Sequence, residues 1–308
     1  RGAAPGPSGW RHEHLLMLCG EGESRSADAI LPLGKALLAG TLPAEVQEWL
    51  RDGRLSALRK GGSGGSGGAG GAGGAGDAEV RPICVTEAWR RWAARAVCRA
   101  RADRWRAALG NHQHAVGLPG GQEVLVHAIK TVAEANPGWS VMTIDGSNAF
   151  NACSRQSIVD SVAELDPESL DFVLDYYDTP ANLFYALEDG SVARIASEEG
   201  TQQGDPLGPF LFAAGLKPAL DRIQAELPEE VMLGAYLDDL CFVGPQHDLA
   251  GVLRVARRHL TDLGLALKAS KIKVYAPGGI ADQGVLEDLA DAGVPGSGVS
   301  EQGVTVLG

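Results

Sequence analysis

The stretch VMLGAYLDDLCFVG at 231–244 holds two short apolar runs on either side of a pair of aspartates. The runs at 231–236 and 240–244 have the length and apolar content of strands, and the residues between them are enough for a tight turn. This pattern predicts a β-hairpin that carries Asp238 and Asp239 at its tip.

A third aspartate follows an apolar run earlier in the chain. WSVMTID at 139–145 has the pattern of a buried strand that ends on Asp145, and Ser154 is placed to cap a helix over SRQSIVDSVAEL. Each aspartate alone is most simply a solvated turn residue. Asp145 and Asp238 together, 93 residues apart with a glycine- and proline-rich turn between them, form a much less ordinary pattern.

Phosphoryl transfer is the chemistry that such acids serve. The reaction uses two divalent cations roughly 3.5–4 Å apart, which activate an attacking hydroxyl and stabilise a departing pyrophosphate. Magnesium takes oxygen ligands and is usually held by one or two carboxylates plus substrate phosphates. Asp145 at a strand end and Asp238 in a facing hairpin therefore form a candidate magnesium site.

Two helices are predicted before the strand that ends on Asp145. The first follows Thr86, a candidate N-cap, and its arginines are expected to cover the face away from the core. Its apolar residues recur at helical spacing: Trp89, Trp92, Ala93, Ala96, Val97 and Ala100. The second helix is predicted from Gln122 to about Ala135, with an apolar stripe that includes Val124, Leu125 and Ile129.

A glycine-rich tract, GGSGGSGGAGGAGGAG at 61–76, cannot bury apolar surface and is expected to be a flexible coil. Its flanks, RLSALRK at 54–60 and EVRPICV at 79–85, have strand-like composition. The tract is therefore either the enlarged tip of a hairpin or a domain linker, of natural or engineered origin.

The chain has 308 residues, 44% of them hydrophobic, which is enough for one large domain or two lobes around a core. Its formal net charge of −12 argues, by itself, against a nucleic-acid partner. The charge is uneven, however: residues 51–110 hold twelve Lys and Arg against five Asp and Glu, a balance of +7 that leaves −19 for the rest. A solvated helix face is the simpler interpretation of that basic region.

The five cysteines are scattered and never spaced as CxxC, so reduced, packed thiols are expected rather than disulfides or a zinc site. No run approaches the roughly 18 uninterrupted apolar residues of a membrane span, and RGAAPGPSGW at 1–10 lacks the apolar stretch of a secretory signal. The sequence thus predicts a soluble intracellular protein, nuclear or cytoplasmic, without a membrane partner.

Three motifs resemble those of the reverse transcriptases of non-LTR retrotransposons and related retroelements. TIDGSNAFNACSR at 143–155 is similar to the first palm motif of that family, GTQQGDPLGPFLFA at 200–213 to its template-and-primer turn, and AYLDDLCFV at 235–243 to its YxDD hairpin. Weaker matches are collinear with these: GPSGWRHEHL at 6–15, VRPICV at 80–85, HQHAVGLPGGQEVLVHAI at 112–129 and GLALKASKIKVYAP at 264–277. The resemblance spans nearly the whole chain.

The resemblance implies an α+β, right-hand polymerase fold with fingers and palm, in which helices back the palm β-sheet. The fingers would occupy 1–136, with the flexible insertion at 61–76, and the palm 137–308, with a return of the chain to the fingers around 165–200. GVTVLG at 303–308 is similar to the beginning of the primer-grip hairpin, so the thumb is expected to be missing. Synthesis by this chain alone is then expected to be feeble and distributive, or absent.

The resemblance also implies catalytic roles. Asp145 and Asp238 would hold two Mg²⁺ ions, with Mn²⁺ as a substitute, and the backbone carbonyl of Gly146 would complete one coordination shell. Asp239 would support them from nearby. Lys271 would protonate the departing pyrophosphate as a general acid, although a solvated surface lysine is the alternative.

The residues that would surround the incoming nucleotide are Lys60, Arg81, Gly146, Ala149, Phe150, Gln203 and Gly204. Lys60 and Arg81 would grip its triphosphate. Phe150 would lie beneath its sugar and exclude a 2′-hydroxyl, a core phenylalanine being the alternative. Gln203 and Gly204 would line the pocket, since glycine lets the backbone approach closely.

The sequence therefore predicts an RNA-directed DNA polymerase that uses an RNA template, a DNA primer and deoxynucleoside triphosphates, and gives no indication of its oligomeric state. Two alternatives stay open. One is an RNA-dependent RNA polymerase, against which Phe150 speaks. The other is a decayed or domesticated relative that binds nucleic acid or a partner without turnover.

Overall fold

The computed structural model describes residues 4–18, 24–59 and 80–306. The chain divides into two compact units. Unit 1 comprises Arg1–Ala96, Asp171–Glu198 and Gln202–Pro206, and unit 2 comprises Val97–Leu170, Glu199–Thr201 and Leu207–Gly308. The first boundary thus lies at 96–97, whereas the family resemblance set it at 136–137.

The helices and strands of the described residues follow in chain order. The first half contains α1 (His12–Leu18), α2 (Ser24–Leu38), α3 (Ala44–Arg51), β1 (Gly53–Arg59), β2 (Val80–Thr86), α4 (Ala88–Leu109), α5 (Gly121–Ala135), β3 (Trp139–Ser147), α6 (Ala149–Ala152) and α7 (Arg155–Leu165). The second half contains α8 (Leu170–Tyr177), β4 (Ala181–Ala186), β5 (Val192–Ser197), α9 (Gly208–Glu226), β6 (Met232–Tyr236), β7 (Asp239–Pro245), α10 (Leu249–Thr261), β8 (Ala266–Leu267), β9 (Lys273–Tyr275), α11 (Gln283–Asp291) and β10 (Val299–Ser300).

The sheet of unit 1 has the strand order β2-β1-β4-β5. Strands β1 and β2 pair antiparallel from Gly53 opposite Thr86 to Arg59 opposite Val80, which confirms the hairpin interpretation of the flanks of the glycine-rich tract. The tract itself lies outside the described residues. On its other side β1 pairs with β4. The residues of β4 come more than a hundred positions later in the chain but belong to the same unit.

The sheet of unit 2 has the order β10-β9-β3-β7-β6, with β8 paired to β3. The predicted hairpin is confirmed as β6 and β7, with Tyr236 opposite Asp239. Strand β3 pairs antiparallel with β7 from Trp139 to Asp145, which places Asp145 directly opposite Asp239. One face of these strands packs on α5, through buried residues that include Leu125, Val141 and Val243.

The structure agrees closely with the predicted end of β3 and the predicted beginning of the next long helix. Strand β3 extends two residues past Asp145. Ser154 is the N-cap of α7, and its side chain accepts a hydrogen bond from the Ser157 N–H at 3.3 Å, as the sequence predicts. Helix α9, which follows the proline-rich turn, is buried along most of its length. Its Phe212 and Leu216, with Leu260 of α10, line a pocket with Ile144 and Leu240, whose side chains project from the sheet face opposite Val141 and Val243.

The predicted faces of α4 and α5 are partly wrong. In α4, Arg90 is 1% exposed and Arg91 is also buried, whereas Ala96 and Ala100 lie at the surface. In α5, Val124 is exposed although it belongs to the predicted apolar stripe. The reason for Arg90 is a buried partner, Asp205, which a helical periodicity cannot reveal.

The thiols of Cys84, Cys153 and Cys241 are buried and make no disulfide, as expected. Burial raises the pKa of each of these thiols to about 12. They are therefore protonated and unreactive at neutral pH. Among the described residues, no helix combines the length and apolar character that crossing a membrane requires.

Candidate active site

Asp145 and Asp239 face each other across β3 and β7. Because side chains alternate along a strand, both project from the sheet face that also carries Val141 and Val243. Lys271 lies at the end of a one-turn 3-10 helix, Ala269–Lys271, just before β9. It donates from Nζ to Asp145 Oδ2 at 2.6 Å. Both side chains of this pair remain partly exposed, at 21% and 34%. A cavity of about 300 Å³ is lined by these three residues, Lys273 and others.

Asp238 occupies the turn between β6 and β7. The residue before it, Leu237, has φ 55°, a left-handed conformation that leucine rarely adopts. Such a conformation costs on the order of 1–3 kcal/mol and often occurs at functional sites. Asp238 also lines a small pocket with Gly146 and Ala149, so the structure brings these three predicted residues together.

Phe150 lies in α6, immediately after β3. Its ring stacks on that of Phe212 in α9, with centroids 4.6 Å apart and planes inclined by 16°. The Phe150 carbonyl accepts a hydrogen bond from the Thr201 N–H at 2.6 Å. A Cβ at neighbouring Gly200, which has φ 64°, would lie 2.2 Å from that carbonyl oxygen, so glycine is required there. The half-buried Phe150 is thus held from two sides within unit 2.

Gln203 and Gly204 lie in unit 1, beside β2. The Gln203 carbonyl accepts a hydrogen bond from the Cys84 N–H at 2.7 Å. Gly204 has φ 111°, and a Cβ there would lie 2.3 Å from the Cys84 carbonyl oxygen. The loop can therefore lie against the strand only with glycine at 204. Arg81 is exposed on the same strand, while Lys60 lies outside the described residues.

Next to Gly204, Asp205 forms a buried ion pair that sequence reasoning missed. Its Oδ2 lies 2.5 Å from Arg90 Nη2, and both side chains are 1% exposed. The Tyr177 hydroxyl donates to the same oxygen at 2.8 Å, and the Arg90 guanidinium lies 4.4 Å from the centroid of the Tyr176 ring. Burial, and then the Asp205 charge, raise the pKa of Tyr177 well above its usual value, so the hydroxyl stays a donor.

Gln113 is a second residue that sequence reasoning missed. It is buried, and its Oε1 accepts hydrogen bonds from the Leu237 N–H at 2.9 Å and from the Ala115 N–H at 3.2 Å. No composition or spacing signal distinguishes this glutamine. Its partner is more than a hundred residues away in the chain, so only the fold reveals the contact.

The site offers hard oxygen donors of the kind that Mg²⁺ prefers. Among the residues that the structure describes, no group of three or more His, Cys, Asp and Glu side chains is arranged to hold a metal ion. Magnesium does not need such a group, because it binds through one or two carboxylates together with substrate phosphates. Asp145 and the Asp238–Asp239 pair at one end of the sheet fit that requirement.

A family model described as reverse transcriptase (RNA-dependent DNA polymerase) matches residues 77–308. The chain belongs to this family. This reverse transcriptase chain is 29% identical, over 279 residues, to the retrotransposable element SLACS 132 kDa protein of Trypanosoma brucei gambiense. The match covers 89% of the chain and 22% of that protein, so the chain spans about a fifth of the length of this relative. The predicted likeness to retrotransposon reverse transcriptases is confirmed.

Solved telomerase structures share the fold of this reverse transcriptase. Apo telomerase of Candida tropicalis, truncated from its C-terminal domain, matches with a TM-score of 0.55 and 12% identity, over 76% of this chain and 51% of that one. Telomerase of Candida albicans, in complex with a TWJ fragment of telomeric RNA, matches with a TM-score of 0.54 and 10% identity, over 76% and 43%. The predicted right-hand polymerase fold of the α+β class is confirmed. Reverse transcriptase domains are generally metal-dependent.

Proposed function

We propose that this chain is the catalytic core of an RNA-directed DNA polymerase, which joins deoxynucleoside triphosphates to a primer 3′-hydroxyl while it copies an RNA template. The observation that carries the proposal is the arrangement of carboxylates in a chain of this family. Asp145 faces Asp239 across two strands, and Asp238 follows a strained residue at the tip of the hairpin.

Two Mg²⁺ ions, replaceable by Mn²⁺, are the proposed cofactors. Asp145 and Asp238 would hold them together with the backbone carbonyl of Gly146, with Asp239 in support. When bound, the ions would activate the primer hydroxyl and stabilise the negative charge of the leaving pyrophosphate. Lys271 offsets the charge of Asp145 through its 2.6 Å hydrogen bond and is the proposed proton donor to pyrophosphate.

The fingers are proposed to occupy 1–136 and the palm 137–308, with a return of the chain to the fingers around 165–200 that includes the Asp171–Glu198 segment of unit 1. Arg81, Gln203 and Gly204 are proposed to contact the nucleotide, together with Lys60. The palm contributes the carboxylates, Ala149 and Phe150. The exposed arginines of α4, such as Arg95 and Arg99, offer positive charge for the phosphates of template or primer.

A primer-extension assay tests the proposed function. Wild-type protein is expected to extend an oligo-dT primer on a poly-A template with Mg²⁺ and dTTP, slowly and distributively but measurably, and chelation of the metal is expected to stop the reaction. Asp238→Ala should remove the activity while the melting temperature stays close to that of the wild type. Equal extension by the two proteins would refute the polymerase assignment. Template binding without any extension by the wild type would favour a domesticated, non-catalytic relative.

Phe150 is expected to select the sugar of the incoming nucleotide. A ring beneath the sugar collides with a 2′-hydroxyl, so Phe150→Ala should raise the efficiency of ribonucleotide relative to deoxynucleotide incorporation by about 10–100-fold. The readout is kcat/KM for each nucleotide in primer extension.

Phe150→Tyr, which keeps the ring and its stacking on Phe212, is the matched control and should retain the discrimination. Unchanged discrimination in Phe150→Ala would reduce Phe150 to a packing residue. A wild-type preference for ribonucleotides would instead favour an RNA polymerase.

A further inference from the structure

The turn that carries Asp238 has a backbone conformation that its own residues do not favour. Tyr236 and Asp239 form the last pair of the hairpin, so Leu237 and Asp238 make a two-residue connection. Leu237 has a positive φ of 55° while Asp238 does not, the sign pattern of a type II′ turn, which favours glycine at its first position. A leucine holds this conformation only where the surroundings impose it.

Gln113 contacts this turn through its side chain. The segment around Gln113 runs beside the outer edge of β6: the Ala235 N–H donates to the His112 carbonyl at 2.7 Å, and the His114 N–H donates to the Ala235 carbonyl at 2.8 Å. From this anchored position the Gln113 Oε1 accepts from the Leu237 N–H at 2.9 Å. The side chain thus ties the turn to a segment that is fixed to the sheet.

Stability alone does not account for a glutamine at this position. The residue is 6% exposed, and its Nε2 has no hydrogen-bond partner among the described residues. A buried amide with unsatisfied N–H groups is unfavourable. A side chain of similar volume without that group would avoid the penalty, but it would leave the Leu237 N–H without its acceptor.

We infer that Gln113 is a positioning residue for the carboxylate of Asp238. It acts through the Leu237 N–H, fixing the strained turn so that Asp238 is held in one place at the tip of the hairpin. The inference rests on the proposed function, because Asp238 needs a fixed position only if it binds a catalytic metal. Gln113 itself is buried and is not proposed to touch metal or nucleotide.

The first test follows the amide hydrogen of Leu237 in the metal-free wild-type protein by hydrogen exchange, read by NMR. The Leu237 amide is expected to be protected, and Gln113→Met is expected to raise its exchange rate by about tenfold. Gln122→Met on the exposed surface of α5 is the matched control and should leave that rate unchanged. Rapid exchange of the Leu237 amide in the wild type would overturn the inference without any variant.

The second test measures function with and without turnover. Gln113→Met is expected to weaken Mn²⁺ binding, followed by electron paramagnetic resonance, and to lower kcat in primer extension, each by about 10–100-fold, with the KM for dTTP nearly unchanged. Adding Leu237→Gly to Gln113→Met should recover part of both losses, because glycine adopts the turn without strain. A residue that only stabilised the fold would not be compensated in this way.

The outcomes separate the two proposals. If the wild type neither binds Mn²⁺ nor extends a primer, both the proposed function and the positioning role fail. If the wild type does both and Asp145→Asn loses both, but Gln113→Met behaves like the wild type, only the positioning role fails. Equal losses in Gln113→Met and in its double variant with Leu237→Gly would likewise overturn it.

Discussion

Asp145→Asn is expected to lower primer extension by about 10³-fold or more. Asparagine keeps the shape of the side chain but removes its negative charge, and metal-ion stabilisation of the transition state is worth several kcal/mol. A loss of about 4 kcal/mol corresponds to a factor of about 10³ in rate. The ion pair with Lys271 that is lost is partly exposed, so the variant should remain folded.

The matched comparison is Asp239→Asn, the same change directly across the β3–β7 ladder. Since Asp239 is proposed to support the metals rather than to bridge them, its loss should lower extension by only about 10–100-fold. Both rates are measured as single-turnover nucleotide addition at saturating Mg²⁺, with melting temperatures recorded in parallel. Equal losses in the two variants would contradict the proposed division of roles between Asp145 and Asp239.

Asp205→Ala is expected to have the largest effect on stability, a loss of about 3–5 kcal/mol in the free energy of unfolding. Removing this carboxylate leaves the guanidinium of Arg90, which is 1% exposed, without its buried counter-ion. It also takes the acceptor from the Tyr177 hydroxyl. Urea denaturation of the whole chain, followed by tryptophan fluorescence, is the measurement.

Two controls make the result specific. Asp288→Ala removes a partner of Arg254 in an exposed pair and should cost less than about 1 kcal/mol. Replacing the buried pair together, with Arg90→Met and Asp205→Leu, should recover much of the loss, because no charge is then stranded. If Asp205→Ala were as mild as Asp288→Ala, the buried pair would contribute little to the stability of the loop.

The Asp205 result also bears on the loop that carries Gln203 and Gly204. That loop is fixed at one end by the Cys84 backbone and at the other by Asp205, and Gly204 leaves no room for a Cβ. The two proposed nucleotide contacts are therefore expected to depend on the ion pair between Asp205 and Arg90. Weaker dTTP binding in Asp205→Ala at temperatures where the protein stays folded is the functional consequence to expect.

The sequence by itself determined the elements whose causes are local. The apolar runs at 231–244 predicted the β6–β7 hairpin, the run before Asp145 predicted β3, and Ser154 predicted the beginning of α7, because strand composition, turn length and capping depend on neighbouring residues. The motif resemblance placed the chain in its family for a similar reason, since each motif is contiguous. The strand-like composition of the two flanks of the glycine-rich tract also predicted that they pair.

Only the tertiary structure decided which polar side chains meet. Helical periodicity predicted that Arg90 faces the solvent. In the structure Arg90 is buried with its partner Asp205, which is 115 residues away in the chain. Gln113 reaches Leu237 across 124 residues, and Lys271 reaches Asp145 across 126. Contacts over such separations depend on the folded backbone rather than on any local pattern. The aspartates of the β6–β7 hairpin are thus visible in the sequence, whereas the contacts that hold them in place are not.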